Sequence, residues 1–539
     1  MRVKRAVLAP ILVALVALAT GGWFLQQGAG SERNLYANSR LLEEILEYVS
    51  EGFVDEKQAG ELYQMAIDGM LQELGDPHTS FIPAKEYEDL RIQLQGDYGG
   101  IGISINRRNG WVTVINPLPD TPGERAGLRA GDAIIEVDGE STKGWSDDFA
   151  VSKLRGPRGE KVTLTIARPG VDEPLRFDIV RAEIHVKSVP ATFMLSPDVG
   201  YVELTVFSET STSEVRDAIR VLRDQGARGV VLDMRGNSGG LLEQGVSVSD
   251  LFLKQDQLVV ETKGRIPQQN YRIQASHADE FEGLPIVLLV GPNSASATEI
   301  VAGALQDHDR ALVLGQITYG KGSVQSLVQL STKDWLRLTT ARWYTPSGRS
   351  IQAPYGIDGP VLVESSDSAA AAAEKPEYRT DAGRVVFGGG GIHPDLTVLP
   401  DTLTAQERPL VQELQQQSGE YFEARFAFGV RFNAAALQPG FEVTDQMVNE
   451  FYDALMTAGV VLDRETYDQG SRWIRVQMAD EITRSKFGYQ EWRKRLNTDD
   501  PQVRAAVQLL RDSRTPEQLF VAARQWERAN GGPGTPGSN

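Results

Sequence analysis

Apolar residues change their spacing several times along this 539-residue chain, and each change marks a different kind of element. The first pattern is an unbroken apolar run from Ala6 to about Leu25, preceded by Arg2, Lys4 and Arg5. A basic flank before roughly 20 apolar residues reads as an export signal or a single N-terminal membrane anchor, with Ala17-Leu18-Ala19 as a candidate cleavage site. Either outcome places the bulk of the chain outside the cytoplasm, because the basic flank stays inside. Leu41, Leu42, Ile45, Leu46 and Val49 then recur at helical spacing, and a second amphipathic stretch from about 55 to 74 stops at Gly75-Asp76-Pro77.

From about 96 to 182 the period falls to two, in short runs (IGISIN, WVTVIN, DAIIEVDG, KVTLTIARP, LRFDIV) separated by Gly, Pro and Asp, which predicts a small β-rich module. From about 199, apolar strands such as GVVLDM and PIVLLV alternate with helical patterns such as SEVRDAIRVLRDQG, so an α/β layer with a substantially parallel sheet is expected. The Ser/Ala/Glu-rich stretch at about 356–384 is too polar and simple to pack and reads as a mobile insertion. Helical patterns dominate from 401 to 527. The expected divisions are a leader (1–30), an N-terminal helical region (31–90), the β-rich module (91–183), the α/β core (184–400), a C-terminal helical region (401–527) and a disordered tail (528–539).

Composition removes several function classes. A formal charge of -18, from 73 acidic against 55 basic residues, argues against nucleic acid as a partner. The chain has no cysteine, which excludes thiol nucleophiles, thiolate zinc sites and disulfides. Its five histidines form no HExxH or comparable ligand pair, so neither metal nor cofactor is expected.

Three segments carry candidate chemistry. GPNSASATEIVAGAL places Ser294 and Ser296 at the start of a helix, directly after PIVLLV. Open backbone N–H groups and the positive dipole end there suit a developing oxyanion, and plain N-capping is the competing reading. GQITYGKGSVQ sets Lys321 between two glycines, with Gln325 four residues on. A lysine activates a serine only when neutral, so its ordinary pKa of about 10.4 has to fall, as burial among apolar groups makes it do. Residues four apart on a strand lie about 13 Å apart, so Lys321 and Gln325 converge only if Lys321 sits in the preceding turn. Gly315 to Lys321 also fits GxxxxGK, but Gly322 stands where a phosphate loop needs Ser or Thr and strands follow. Gly236-Asn237-Ser238-Gly239-Gly240 fits GxSxG, although no histidine is suitably placed for Ser238, and a turn that supplies backbone donors is the better reading.

Taken together, GMLQELGDPHTSFIP, YGGIGISI, GLRAGDAIIEVDGE, LDMRGNSGGLL, NSASATEI, GQITYGKGSVQ and RWYTPSGRSIQ, in that order over about 40–400, resemble the C-terminal processing proteases, the S41-type Ser-Lys peptidases with a PDZ domain. The resemblance implies a multidomain α/β (α+β) architecture: a crotonase/ClpP-like core, an inserted PDZ domain, N-terminal helices and a helical C-terminal region. It implies Ser296 as nucleophile, Lys321 as general base and Gln325 as the residue orienting the lysine, with oxyanion donors at the backbone of Ala297 and of Gly239 or Gly240. Thr298 stands where a serine is common, and His78 is structural on this reading. It also implies a peptide-carboxylate loop at Gly99, Gly100, Ile101 and Gly102, and a link from PDZ to active site through Arg155.

The expected function is cleavage of exported proteins near their C-termini in the cell envelope. The partners are protein or peptide substrates with exposed apolar C-termini, and the N-terminal segment contacts the membrane. The terminal helices are candidates for homo-oligomerisation or adaptor docking. The alternative from another class is a catalytically inactive PDZ-containing scaffold.

Overall fold

The computed structural model describes residues 36–356, 359–360, 375–432 and 435–530. The leader expected at 1–30, most of the insertion and most of the tail lie outside the described residues. Among those described, no helix is long and apolar enough to cross a membrane. The chain forms two compact units, one of residues up to Ala84 with Gln325–Thr339, the other of Lys85–Val324 with Thr340 onward.

In the first unit, a helix over 36–52 precedes the helix Ala59–Gln72. The predicted apolar stripe of the earlier helix is not buried: Leu41, Leu42 and Ile45 all remain exposed. After the second helix the carboxylate of Asp76 accepts bonds from the His78 amide and the Thr79 hydroxyl, which turns the chain into strand Ser80–Ile82. That strand pairs antiparallel with Trp335–Arg337, matching Ser80 to Arg337.

The second unit is built on one six-stranded sheet in sequence order: Ala191–Ser196, Val199–Glu203, Gly229–Asp233, Ile286–Val290, Leu312–Gly315 and Leu396–Thr397. Only the first pair is antiparallel. Strands 199–203, 229–233 and 286–290 are buried throughout, as unbroken apolar runs demand when both faces are covered. Alternate residues divide between two cores. Val230, Leu232, Ile286 and Leu288 pack with Val215, Ile219, Val301 and Leu305 from the crossover helices Ser211–Asp224 and Ala297–Asp307. Val231, Val287 and Leu289 pack with Val503, Leu509, Leu510 and Phe520 from the helices Pro501–Arg511 and Pro516–Asn530.

That second core draws residues from both sides of the expected division at 400. Helices over 407–482 enclose a core of their own, with Leu410, Phe428, Phe451, Tyr467 and Ile474, but residues 501–530 are the second covering layer of the six-stranded sheet. A sheet face rich in Val and Leu needs cover, and the final helices supply it from a distance in sequence that local patterning does not reveal. Part of the stretch expected as a mobile insertion at 356–384 is described. Residues 377–379 pair with 385–387, and Arg384 is held by the Asp309 and Asp395 carboxylates and the Gln306 carbonyl.

The β-rich module surrounds its own core of Ile101, Val114, Ile134, Leu164 and Ile166. It joins the peptidase core through a two-stranded ribbon, Asp97–Gly100 against Ala182–His185. His185 sits on that ribbon, with Nδ1 2.9 Å from Asp97 and Nε2 2.8 Å from the Glu214 carboxylate of the core. Partial burial works against its charge, but the two acids prevail and raise its pKa. At the module's other end, the Arg108 guanidinium lies 4.2 Å from the centre of the Phe426 ring on the helix Ser418–Arg431.

Leu510, which is 1% exposed, tests the second covering layer. Leu510→Ala is expected to cost about 2–5 kcal/mol through lost burial and an unfilled cavity, whereas Val521→Ala, at a position 45% exposed, should stay within about 0.5 kcal/mol. Chemical unfolding midpoints read both, and equal shifts would contradict the assignment.

Candidate active site

Strand Ile286–Val290 ends at Gly291, and the chain turns through Pro292 and Asn293 into the helix that begins at Ala297. Ser294 is fully buried in this turn; its hydroxyl donates to the Met234 carbonyl at 2.8 Å and accepts the Gly291 N–H at 3.0 Å. It therefore fastens two strand ends together. Ser296 differs in each respect. It is half-buried, its side chain makes no capping bond, and the Glu299 amide donates to its carbonyl instead, at 2.8 Å. The hydroxyl is thus not spent on the N-capping that the sequence left open.

Ser296 also has φ 56° and ψ -116°, a conformation that costs a non-glycine residue about 1–3 kcal/mol and persists only where its surroundings impose it. Those surroundings include the turn Gly236–Gly240. The Ala295 N–H and the Thr298 hydroxyl both donate to the Asn237 carbonyl, at 3.1 and 2.9 Å. A Cβ on Gly239 would lie 2.7 Å from Cβ of Ser296, so only glycine fits. Asn237 is fully buried; its amide donates to the Leu204 carbonyl at 3.0 Å, and its Oδ1 accepts the Gly239 N–H at 2.8 Å. Of the three expected oxyanion donors, Gly239 is thus engaged. Among the described residues the N–H groups of Gly240 and Ala297 make no backbone hydrogen bond.

Lys321 lies in irregular backbone, two residues before strand Ser323–Gln329. Gly320 has φ 88° and approaches Ala353 so closely that an added Cβ would be 2.7 Å from its side chain. The lysine's carbonyl accepts the buried Trp343 indole N–H at 3.2 Å. Gly322 is pinned on both sides, its N–H to Gln352 at 3.0 Å and its carbonyl to the Trp343 amide at 2.9 Å. Gln325 belongs to the first unit, where its side-chain amide donates to the Thr339 hydroxyl at 3.4 Å.

The two segments meet at a residue the sequence reading did not single out. Glu299 is fully buried, and its Oε2 accepts both the Ser296 N–H and the Lys321 N–H, each at 2.9 Å. Its Oε1 accepts the Gly320 N–H at 2.7 Å and the Thr318 hydroxyl at 2.5 Å. One carboxylate oxygen therefore holds the amides of the candidate nucleophile and the candidate base, whose nitrogens lie no farther apart than twice that bond. Burial pushes the Glu299 pKa up to about 7 despite its four donors. The sequence held a signal for it, namely a single acid in the first turn of an otherwise apolar helix, where nothing local neutralises it.

Ser238 is exposed, and no histidine bonds to it among the described residues. The histidines are engaged elsewhere, His277 with Asp250 and His308 with Asp381.

In the β-rich module, Gly99 and Gly100 lie on the ribbon strand, and Ile101 and Gly102 turn the chain into strand Ile103–Arg108. A groove of about 70 Å³ runs between that strand and the helix Asp147–Leu154, lined by Ile103, Ile105, Val151 and Leu154, with Tyr98 and Arg155 also on its wall. Arg155 makes its ion pair with Asp89 at 2.6 Å and lies 5.0 Å from the centre of the Tyr98 ring.

Comparison with known proteins agrees with this layout. Residues 198–363 match the model of peptidase family S41, and residues 90–167 match the PDZ domain. The chain is 42% identical over 338 residues to a carboxy-terminal-processing protease of Bartonella bacilliformis, covering 62% of this chain and 77% of that protein. It is 30% identical over 355 residues to a probable CtpA-like serine protease of Staphylococcus aureus strain MRSA252, covering 66% and 71% respectively. Among solved structures it is similar to a photosystem II D1 C-terminal processing protease, at 29% identity over 58% of this chain and 89% of that one with a TM-score of 0.33. With a relative so similar over most of that relative's length, and with a PDZ domain joined to an S41 core, this chain belongs to peptidase family S41, the carboxy-terminal-processing proteases.

Proposed function

We propose that the chain is a serine endopeptidase in which neutral Lys321 takes the proton of Ser296, and that its PDZ domain receives the apolar C-terminus of an exported protein. The observation that carries this reading is the shared Glu299 oxygen, which keeps the backbones of nucleophile and base in one fixed relation. Attack of Ser296 on a peptide carbonyl would give a tetrahedral intermediate, whose oxyanion is received by the N–H groups of Ala297 and Gly240. Gly239 would join them only by releasing Asn237. Collapse breaks the C–N bond as Lys321 passes the serine proton to the departing amine, which leaves an acyl-enzyme on Ser296, and water activated by the again neutral Lys321 hydrolyses it. Gln325, four residues along the chain from Lys321, is assigned the orienting role. The apolar wall of the PDZ groove supports an apolar substrate terminus, which would add as a strand beside Ile103–Arg108. The cell envelope is the proposed location.

Ser296→Ala and Lys321→Ala should each lower turnover of a peptide with an apolar C-terminus by at least about a thousandfold. Ser238→Ala should retain turnover. Loss of turnover in Ser238→Ala alone would transfer the nucleophile to the Gly236–Gly240 turn.

The pH profile provides a second test. Lys321 must lose its proton to act, and Glu299 serves its four donors fully only when ionised, which requires a pH above about 7. Both requirements give kcat/KM that rises from pH 6 to 9. In Glu299→Gln one donor of the new amide opposes an N–H, so kcat should fall about 10–100-fold and the inflection near 7 should disappear. A wild-type profile that falls over this range would contradict the lysine-base reading.

A further inference from the structure

We infer that the C-terminal helical region holds the oxyanion turn in place, through Asp500 and Gln502 acting on Arg235, and that these are positioning residues for the hydrolytic reaction. The inference rests on the proposed reading of the Gly236–Gly240 turn as a source of oxyanion donors. Arg235 is the last residue before that turn, immediately after the strand Gly229–Asp233 and Met234. Its guanidinium is fixed from two directions. On its own strand, Asp233 takes Nε at 3.0 Å and Nη2 at 2.6 Å, a bidentate grip. From the far end of the sequence, Asp500 takes Nη1 at 2.6 Å and Gln502 takes the same nitrogen at 2.7 Å.

Neither contact from the far end is incidental to its own segment. Asp500 caps the helix Pro501–Arg511, its Oδ1 accepting the amides of Gln502 and Val503 at 2.8 and 3.2 Å, so the oxygen that meets Arg235 is the other one. Gln502 is 2% exposed, and its amide donates to the Val398 carbonyl at 2.6 Å, which fixes the direction of its Oε1. That helix is in turn anchored on the sheet by Val503, Leu509 and Leu510.

A second contact runs from the same region to the same strand end. Arg493 donates to the Tyr201 hydroxyl at 2.8 Å and lies 3.3 Å from Asp233, while Tyr201 donates to Asp233 at 2.8 Å. Asp233 is 3% exposed. Burial alone would raise its pKa, and Arg235 outweighs burial and keeps it low. The buried carboxylate and half-buried guanidinium at the root of the turn are thus charged and oriented partly by side chains from 493–502. Two residues beyond Arg235, Asn237 receives Ala295 and Thr298 and sets Gly239 against Ser296. A shift of Arg235 would be carried along this short, tightly bonded backbone to the donors.

The test uses the full chain and a pair of small chromogenic esters that differ only in C=O against C=S. Thiocarbonyl sulfur accepts hydrogen bonds poorly, so the rate ratio of oxo to thiono ester reports how well the donors are aimed. Asp500→Ser keeps a capping side chain but is too short to reach Arg235, and Asp500→Asn, with one acceptor oxygen where Asp500 uses two, keeps the cap only by turning an NH2 donor toward Arg235. Asp500→Ser combined with Gln502→Ala should lower kcat for the oxo ester about tenfold, with KM changed less than about twofold and the rate ratio reduced. Asp500→Asn should be intermediate in kcat and in ratio. Asp499→Asn, at a neighbouring acid that pairs with Arg504, should behave as wild type. An unchanged kcat in the double variant overturns the inference. So does a fall in kcat that follows the unfolding midpoint while the rate ratio stays at the wild-type value, since that is a purely structural role. A wild-type ratio near one would instead overturn the oxyanion reading beneath it, whatever the Asp500 variants do.

Discussion

Everything at this site depends on one buried carboxylate. Glu299 sits in the first turn of a helix with no solvent to share its charge, and besides the helix dipole its compensation is four hydrogen-bond donors: three backbone amides and one hydroxyl. The constraint acts in both directions. A buried carboxylate needs donors, so Thr318, Gly320 and Lys321 are drawn to the helix start. The same bonds fix the segment at Lys321 against the amide of Ser296, so the electrostatic requirement of the acid becomes the geometric specification of the proposed nucleophile and base. A neutral side chain at 299 would remove the reason for the lysine segment to lie there.

The sheet beneath explains why that specification is stable. Its strands are buried on both sides, and alternate residues belong to different cores. One core carries the Ala297–Asp307 helix and hence Ser296 and Glu299; the other carries the Pro501–Arg511 helix and hence Asp500 and Gln502. The loops at the carboxyl ends of strands Gly229–Asp233 and Ile286–Val290 lie between these layers and are tied to both. The positive φ of Ser296 is strained, and strain of that kind survives only where several independent contacts oppose its release. Here the opposing contacts are Glu299 on one side and the Asn237 turn on the other.

Much of this was legible in the sequence, where the residues report on their immediate surroundings. The apolar runs of the parallel strands signal locally what they are, the serine after PIVLLV and the lysine between two glycines stand out as candidates, and the fold carries the Ser296 and Lys321 segments to one acid. What the sequence concealed was non-local. The helical pattern of 501–530 shows an apolar face but not that the face covers a sheet formed some two to three hundred residues earlier. The polar composition of about 356–384 suggested a mobile segment, because the partners of Arg384 lie outside it, Asp395 just beyond and Asp309 far earlier in the chain. Gly239 has the flexibility expected of a donor turn, yet whether its N–H is open depends on the rotamer of Asn237, which no spacing rule conveys.

The PDZ domain follows a different physical logic from the core it joins. It has its own hydrophobic centre and reaches the peptidase through a two-stranded ribbon with a half-exposed histidine between two acids, whereas the catalytic backbone is fixed by buried bonds. Exposed charge pairs and a narrow ribbon yield at far lower cost than a buried carboxylate with four donors. Adjustment to substrate is therefore expected at the ribbon and at the Arg155–Asp89 pair, which lies beside the peptide groove, before it is expected at Ser296. The division confines variability to the contacts that are cheap to remake, and the proposed reacting groups stay on the part of the fold that is costly to deform.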